Sequence, residues 1–436
     1  MTDSFPTLII SRRPRAVGLG WDDARSWFGG APQLGGQPWP RGGARQTPFY
    51  FVAQIDLAEV GREVRRWGAP NPLPDGALAF FIGGDAGGAV VHVPRPEPGE
   101  PTAPTPPPPD APAVFEPGGA VFPATFGPEA PRLFPRWPVE VTAVDVEPDA
   151  DWEAQVAAVG RRFTRRRRFF KASAAYQLLG DAPRPFWWHS AHYYLACLRT
   201  ALRHVPVGAG VHRQFLEAAR AKLARLRPAG ATGARSALAL RLAGKGPEVS
   251  AEVKQAEDEV ARLEAQLAGF ERSAADFERF VREVADWVRG TDPWQPMPPE
   301  AVGTLASTFD RGRTAFREFT GGAMLYSLDD LETETLLALA TAEDRAYATL
   351  PEAVRALINE QYLLPTGFWH QMFGTGVDIQ GNAAVENEGN VMLLQLVCDD
   401  MLHWQFGDTG AFQFWIPPED LARGNWAAVR LTFEMG

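Results

Sequence analysis

The sequence predicts an α+β protein, with a β-rich core assembled from both chain ends and a large helical insertion between them. Three observations lead there. Short apolar runs rich in β-formers fall within residues 1–93 and 365–436. The stretch between about 150 and 364 follows helical periodicity instead. Glycine (42) and proline (39) together exceed average usage in this 436-residue chain. That excess rules out a plain helical bundle, because both residues break helix interiors. The length suits roughly two to four domains, or one domain with a large insertion, and can bury a sizeable core without staples.

Residues 1–93 form the first half of the expected core. Pro48 to Leu57, PFYFVAQIDL, and Gly76 to Ile82, GALAFFI, are apolar and bounded by turn residues, as buried strands are. Ala89 to Val93, AVVHV, is a third strand, and Gly83–Gly88 supplies the turn before it. Residues 94–149 read as a proline-rich linker or exposed loop, since Pro106–Pro109 favours extended polyproline II and cannot continue a ladder.

Residues 150–364 read as the helical insertion. Its longest helix, from Glu248 to Val288, carries a heptad. One seam holds Val253, Val260, Leu267, Ala274, Val281 and Val288, the other Ala256, Leu263, Phe270, Phe277 and Val284. Val211, Phe215, Ala218 and Leu226 form a shorter stripe expected to pack against it as an antiparallel hairpin, with Pro228–Gly246 at the tip. In residues 365–436 strands return, at Asn390–Val397, Gly410–Ile416 and Ala427–Phe433.

The two ends echo each other. FVAQIDL precedes GALAFFI near the front, and MLLQLVC precedes GAFQFWI near the back. Each first strand contains one glutamine, Gln54 or Gln395, and each pair is joined through Asp and Gly. Two strand pairs of one design suggest a pseudo-repeat. A glutamine inside an apolar strand is suited to tying down buried backbone groups.

Gly29, Gly30, Pro32, Trp39, Pro40, Phe51, Ala53, Gln54 and Ile55 resemble the opening of the YwqG-like family, a bacterial domain of unknown function. The carboxyl end is similar too, in His370 with Gly374, Ile379-Gln380-Gly381, Leu393–Leu396, Gly407–Gly410, Phe414–Ile416, Asp420-Leu421 and Asn425-Trp426. Val397 departs from an aspartate expected there, while Asp399 matches the next. The resemblance covers residues 29–95 and 365–433. It implies no settled activity. Members occur near contact-dependent toxin systems, which implies an interaction or immunity-like role.

Composition narrows the function further. The net charge of −10 argues against a dedicated nucleic-acid binder. Cys197 and Cys398 sit in no CxxC pair and read as buried free thiols. The amino terminus carries its apolar patch before its arginines, unlike a secretory signal, and no run reaches the roughly 18 apolar residues of a membrane span. A cytoplasmic location is the reading. His189 and His192 sit three apart on a helical pattern, but the further ligands of a metal site are missing, so aromatic packing is preferred and neither metal nor cofactor is expected.

The basic run Arg161, Arg162, Arg165, Arg166, Arg167 and Arg168 lies among phenylalanines. Its preferred reading is a solvated helix face, and nucleic-acid association is the weaker alternative. His370, Gln380 and Asp408 are candidate binding residues, with Gln54, Gln395 and Trp39 beside them. No GxSxG elbow, HExxH helix or P-loop accompanies them, so no catalytic residue is assigned. The leading expectation is a non-enzymatic protein-interaction module with a protein partner, in one form a toxin neutraliser. The alternative is an enzyme of unknown chemistry at His370, Gln380 and Asp408.

Overall fold

The structure is a computed structural model. It describes residues 5–19, 21, 23–68, 73–83, 87–95, 103–114, 131–147, 150–164, 170–226, 247–321, 327–365 and 367–436. Two compact units emerge, one from residues 1–190, 292–297 and 326–436, the other from 191–291 and 298–325.

The first unit is built on an antiparallel sheet that curls towards a barrel. Its strands, among the described residues, are β1 (Leu8–Arg12), β2 (Trp27–Phe28), β5 (Tyr50–Asp56), β6 (Ala77–Ile82), β7 (Gly88–Val93), β8 (Trp137–Ala143), β9 (Gln371–Met372), β10 (Val391–Val397), β11 (Ala411–Ile416) and β12 (Arg430–Glu434). The numbers β3 (Arg41–Gly42) and β4 (Thr47–Pro48) belong to a separate two-stranded ribbon. The sheet order is β12-β11-β10-β9-β1-β8-β2-β5-β6-β7. Its outermost strands approach each other. Gly88 of β7 lies against the Leu431 side chain of β12, and His92 stacks on Trp426 at 5.9 Å.

The runs of β1, β5, β6, β10 and β11 are buried almost throughout because the sheet has apolar partners on both faces there, whereas β7, β8 and β12 are partly exposed. Along β5 and β6, alternation sends Val52, Ile55, Leu78 and Phe80 to the main core and Phe51, Ala79 and Phe81 to a second cluster with Trp27 and Leu34. The main core continues through Phe28, Trp404, Phe412 and Phe414 to the helices Leu328–Thr341 and Glu352–Gln361, which contribute Leu336, Leu339, Val354 and Ile358. Burying one such side chain is worth about 1.5–3 kcal/mol. The register slips by one residue between Phe51 and Ala53 in β5, and between Met392 and Leu394 in β10. A bulge of this kind bends a strand and increases its twist.

The domain boundaries differ from the sequence reading in three places. Residues 94–149 are not all linker, because Trp137–Ala143 forms β8 and pairs with β1 along five positions. The proline-rich residues 103–114 are tied down: the Thr105 N–H donates to Pro32 O, Arg41 pairs with Asp110, and Val114 is buried. The helices of 150–190 and 327–364 pack with the sheet unit, which leaves a shorter helical unit than 150–364.

In the second unit the helix Pro247–Val288 buries Ala256, Leu263, Phe277, Val281, Val284 and Val288, while Val253, Val260, Leu267 and Phe270 are half-buried. Residues 191–226 of the helix Trp188–Leu226 run antiparallel to it, with ion pairs Arg213–Glu271 and Arg220–Glu264. The stripe expected to face it is corrected. Ala209, Leu216 and Leu223 are buried, whereas Val211 is 45% and Phe215 61% exposed. Seven-residue spacing from Ala209 is the seam that faces the partner, and Val211 and Phe215 fall outside it. Pro228–Gly246 lies outside the described residues.

Candidate functional site

Residues remote in sequence meet in a buried polar network at the middle of the sheet. Arg12 ends β1, His370 immediately precedes β9, and Asp399 follows β10. All three are at most 2% exposed. Arg12 pairs with the Asp399 carboxylate and donates from Nε to the Tyr362 carbonyl at 2.6 Å. The Val397 N–H donates to His370 Nδ1 at 3.2 Å, so the ring proton sits on Nε2 and is donated to Asp399 at 3.1 Å. Burial pushes the His370 pKa down, with Arg12 adding to it and Asp399 opposing, so the ring is neutral. Burial disfavours ionised Asp399, but Arg12 and His370 outweigh it and hold the carboxyl below its usual range. Next to it, burial and the Asp399 charge raise Asp400 to about 6, although Asp400 accepts the Phe170 N–H at 2.6 Å.

This network closes on itself. His370 is enclosed by Phe28 and Trp404, with ring centroids 4.8 and 5.4 Å away. It locks the ends of three strands, and a substrate has no route to it through the main cleft of the unit, which none of its members lines. Gln380 and Asp408 do not join it. The Gln380 side chain is exposed, and its N–H donates to Glu434 at 3.3 Å. Asp408 is exposed in a turn, where its carbonyl accepts the Gly436 N–H at 2.8 Å.

Both strand glutamines act as backbone clamps. Gln54 Oε1 accepts the Gln33 N–H at 2.8 Å, and Gln395 Oε1 accepts the Val377 N–H at 2.7 Å. Gln395 also donates to the Trp369 carbonyl at 3.0 Å and accepts from Gln413 at 3.0 Å. Trp39 donates to the Phe49 carbonyl at 2.8 Å and packs edge-on against Phe81, so its role is structural. Glu434, which the sequence reading missed, collects four backbone donors: Ile379 (2.7 Å), Gln380 (3.3 Å), Asn382 (3.0 Å) and Ala383 (2.8 Å). Burial disfavours its charge, and the four N–H groups outweigh that and lower its pKa. A buried-strand glutamate within TFE was the available signal.

The open site lies beside Gln54. A cleft of about 1120 Å³ has Trp27, Gln54 and Ala77 in its wall, with Gly35, Gly36 and Gln37, Val93 and Arg95, Arg25, and the proline-rich strap Ala103–Pro106. Its carboxylates are already engaged. Asp23 pairs with Arg13 at 3.0 Å, and Asp56 caps the helix Leu57–Trp67 by accepting from Ala58 and Glu59. Among the described residues no histidine or cysteine lines it.

The remaining candidates lie elsewhere. Arg161 and Arg162 are exposed, and Arg162 stacks on Phe163 at 5.7 Å; Arg165, Arg166, Arg167 and Arg168 fall outside the described residues. His189 bonds Thr335 and stacks on Trp294, while His192 bonds Thr291. Cys197 is buried and Cys398 half-buried, and neither is in a disulfide.

Residues 291–434 match the family model of a domain of unknown function, DUF1963. The match takes in β9–β12 and the helices before them, roughly a third of the chain, and stops short of the strands β1–β8. No curated protein matches the chain. Among the described residues no helix is long and apolar enough to cross a membrane.

Proposed function

We propose that the chain is a non-enzymatic protein-interaction module that binds its partner through the cleft beside Gln54. One observation carries this reading: a large cleft of mixed polar and apolar lining that offers hydrogen-bonding side chains and arginines but, among the described residues, no nucleophile–base pair. The placement of His370 in a closed network, away from exposed Gln380 and Asp408, weighs against the enzyme reading. The YwqG-like resemblance adds a bacterial setting and an immunity-like role as the form this binding takes, and the amino-terminal pattern adds a cytoplasmic location.

We also read the sheet as a duplicated half-domain, with a coiled-coil-like hairpin as the insertion. Support comes from matching detail. Trp27 pairs with Gln54 as Gln371 pairs with Gln395, and the bulges fall at matching positions of β5 and β10. Phe81 faces Ala89 as Trp415 faces Arg430. Ser26 Oγ accepts the Asp56 N–H and donates to Glu59, as His370 accepts from Val397 and donates to Asp399. Ser11 opposite Glu140 lies at the centre of the pairing between the halves.

The test is affinity capture with the full chain, partners identified by mass spectrometry, alongside Arg25→Ala and Gln37→Arg in the cleft and Asp408→Ala outside it. The reading expects one specific complex that the cleft changes weaken and Asp408→Ala leaves intact. Capture insensitive to both cleft changes overturns it.

A further inference from the structure

The two halves of the sheet treat one position differently. Glu434 ends β12 opposite Ala411, and its carboxylate is gripped by the N–H groups of Ile379, Gln380, Asn382 and Ala383. In the duplicated reading, on which this inference rests, the corresponding residue is Val93, which ends β7 opposite Ala77. The segment after β2 starts on the same course as the segment after β9. Gly29 and Gly30 have φ of 56° and 64°, Phe373 and Gly374 of 57° and 66°. The next clamped residues are Gln33 and Val377, so by count Gly35 and Gly36 stand where Ile379 and Gln380 do, with the backbone diverging there: Gly35 and Gly36 have φ of 56° and 83°, and neither Ile379 nor Gln380 has a positive φ. Proximity agrees: a Cβ on Gly35 would lie 3.5 Å from Val93 Cγ1.

So the place of the Glu434 carboxylate is taken here by an apolar side chain and an open cleft. Gly35, Gly36 and Val93 all line it. The Gly35 and Gly36 N–H groups donate no hydrogen bond among the described residues. Arg25 and Arg95, also in the lining, make no ion pair among the described residues, while Asp23 and Asp56 are engaged elsewhere. Among the described residues, two backbone donors without acceptors and two arginines without ion pairs therefore lie in a cleft whose own carboxylates already hold hydrogen bonds.

We propose that the cleft is a carboxylate receptor, in which an acidic side chain of a partner polypeptide takes the place that Glu434 fills in the carboxyl-terminal half. Gly35 and Gly36 supply the backbone donors, and Arg25 and Arg95 supply the charge. The cleft volume, about 1120 Å³, exceeds what a lone carboxylate needs and leaves room for the chain that carries it.

The experiment is calorimetric titration of the full chain with three probes: the peptide acetyl-Ala-Gly-Glu-Gly-Ala-amide, its Gln counterpart, and sodium glutarate. The Glu peptide should bind, and the Gln peptide should bind at least about tenfold more weakly, as expected for losing a charge-assisted hydrogen bond. Arg25→Ala with Arg95→Ala should weaken the Glu peptide by a similar factor. Val93→Glu should abolish binding by supplying the carboxylate internally, with the circular dichroism and melting temperature retained. Equal binding of the Glu and Gln peptides, or none by any probe at millimolar concentration, overturns the receptor. Glutarate binding as tightly as the Glu peptide replaces the polypeptide source with a free carboxylate and overturns that half of the proposal. A Val93→Glu chain that fails to fold counts against the duplicated reading, whereas the peptide comparison on the unaltered chain judges the receptor by itself.

Discussion

Replacing Glu332 with glutamine should make the sheet unit more stable above neutral pH and leave it unchanged in mild acid. Glu332 lies on the helix Leu328–Thr341, is 4% exposed, and has a carboxyl oxygen, Oε1, without a hydrogen-bond partner. Burial raises its pKa to about 8, the Asp329 charge one turn away adds to the shift, and Arg184 opposes it. In the unfolded chain the group titrates near its ordinary value, about 4.3. The folded state therefore keeps a proton that the unfolded state releases. Its contribution is fully present below the unfolded pKa and is lost as pH rises towards 8, then stays level. At pH 7 the loss is on the order of 3–4 kcal/mol, from 1.36 kcal/mol per unit between the two pKa values. Glutamine keeps the shape and does not titrate. Urea unfolding of both chains from pH 4.5 to 9, followed by near-ultraviolet circular dichroism, yields the difference and cancels the other titrating groups. The difference should grow from near zero at pH 4.5 and level off above pH 8. A difference that does not vary with pH refutes the assignment of a buried, protonated Glu332.

Three further expectations follow from the packing. Asp399→Asn leaves Arg12 charged and buried without its counter-ion, and should cost about 3–5 kcal/mol in urea unfolding, while Arg12→Met with Asp399→Leu recovers most of it. Because the folded His370 pKa is depressed, the stability of the chain relative to His370→Asn should fall as pH drops below about 6.5, where the unfolded imidazole takes a proton, a difference that cancels Glu332 and the other titrating groups. In the helical unit, Leu216→Ala should cost about 2–5 kcal/mol, and Phe215→Ser should change the melting temperature little, since surface changes stay within about 0.5 kcal/mol. Equal costs at 215 and 216 would restore the stripe that the sequence suggested.

The strands that could be read from the sequence were those carrying their whole signal locally. YFVAQID and VMLLQLV are buried on both faces, so each is a continuous apolar run that needs no partner to be seen. Gln54 and Gln395 were visible for the same reason, as single polar residues in such runs. The missed central strands depend on distant partners. Leu8–Arg12 pairs with residues 139–143 and 371–372, and Trp137–Ala143 starts where a proline-rich stretch ends, so composition pointed to loop. The helix seam was missed because Val211 and Phe215 are more apolar by type than Ala209, and only the partner helix decides which face is covered.

The site follows the same logic at the level of charge. His370 was legible as an unusual residue, but the partners that define its chemistry, Arg12 and Asp399, are 358 and 29 positions away in sequence, and neither stands out alone. A buried arginine ending an apolar strand, LIISR, implies an anion somewhere in the fold, since an unpaired buried charge is too costly to keep. The same argument applied to TFE at the other end implies donors for Glu434. Had both charges been treated as demands for partners, the polar centre and the four-donor grip on Glu434 would have been expected in kind, though not in place. The cleft could not have been. Its walls come from residues 23–37, 54–56, 76–77, 93–95 and 103–106, segments that only the fold brings together.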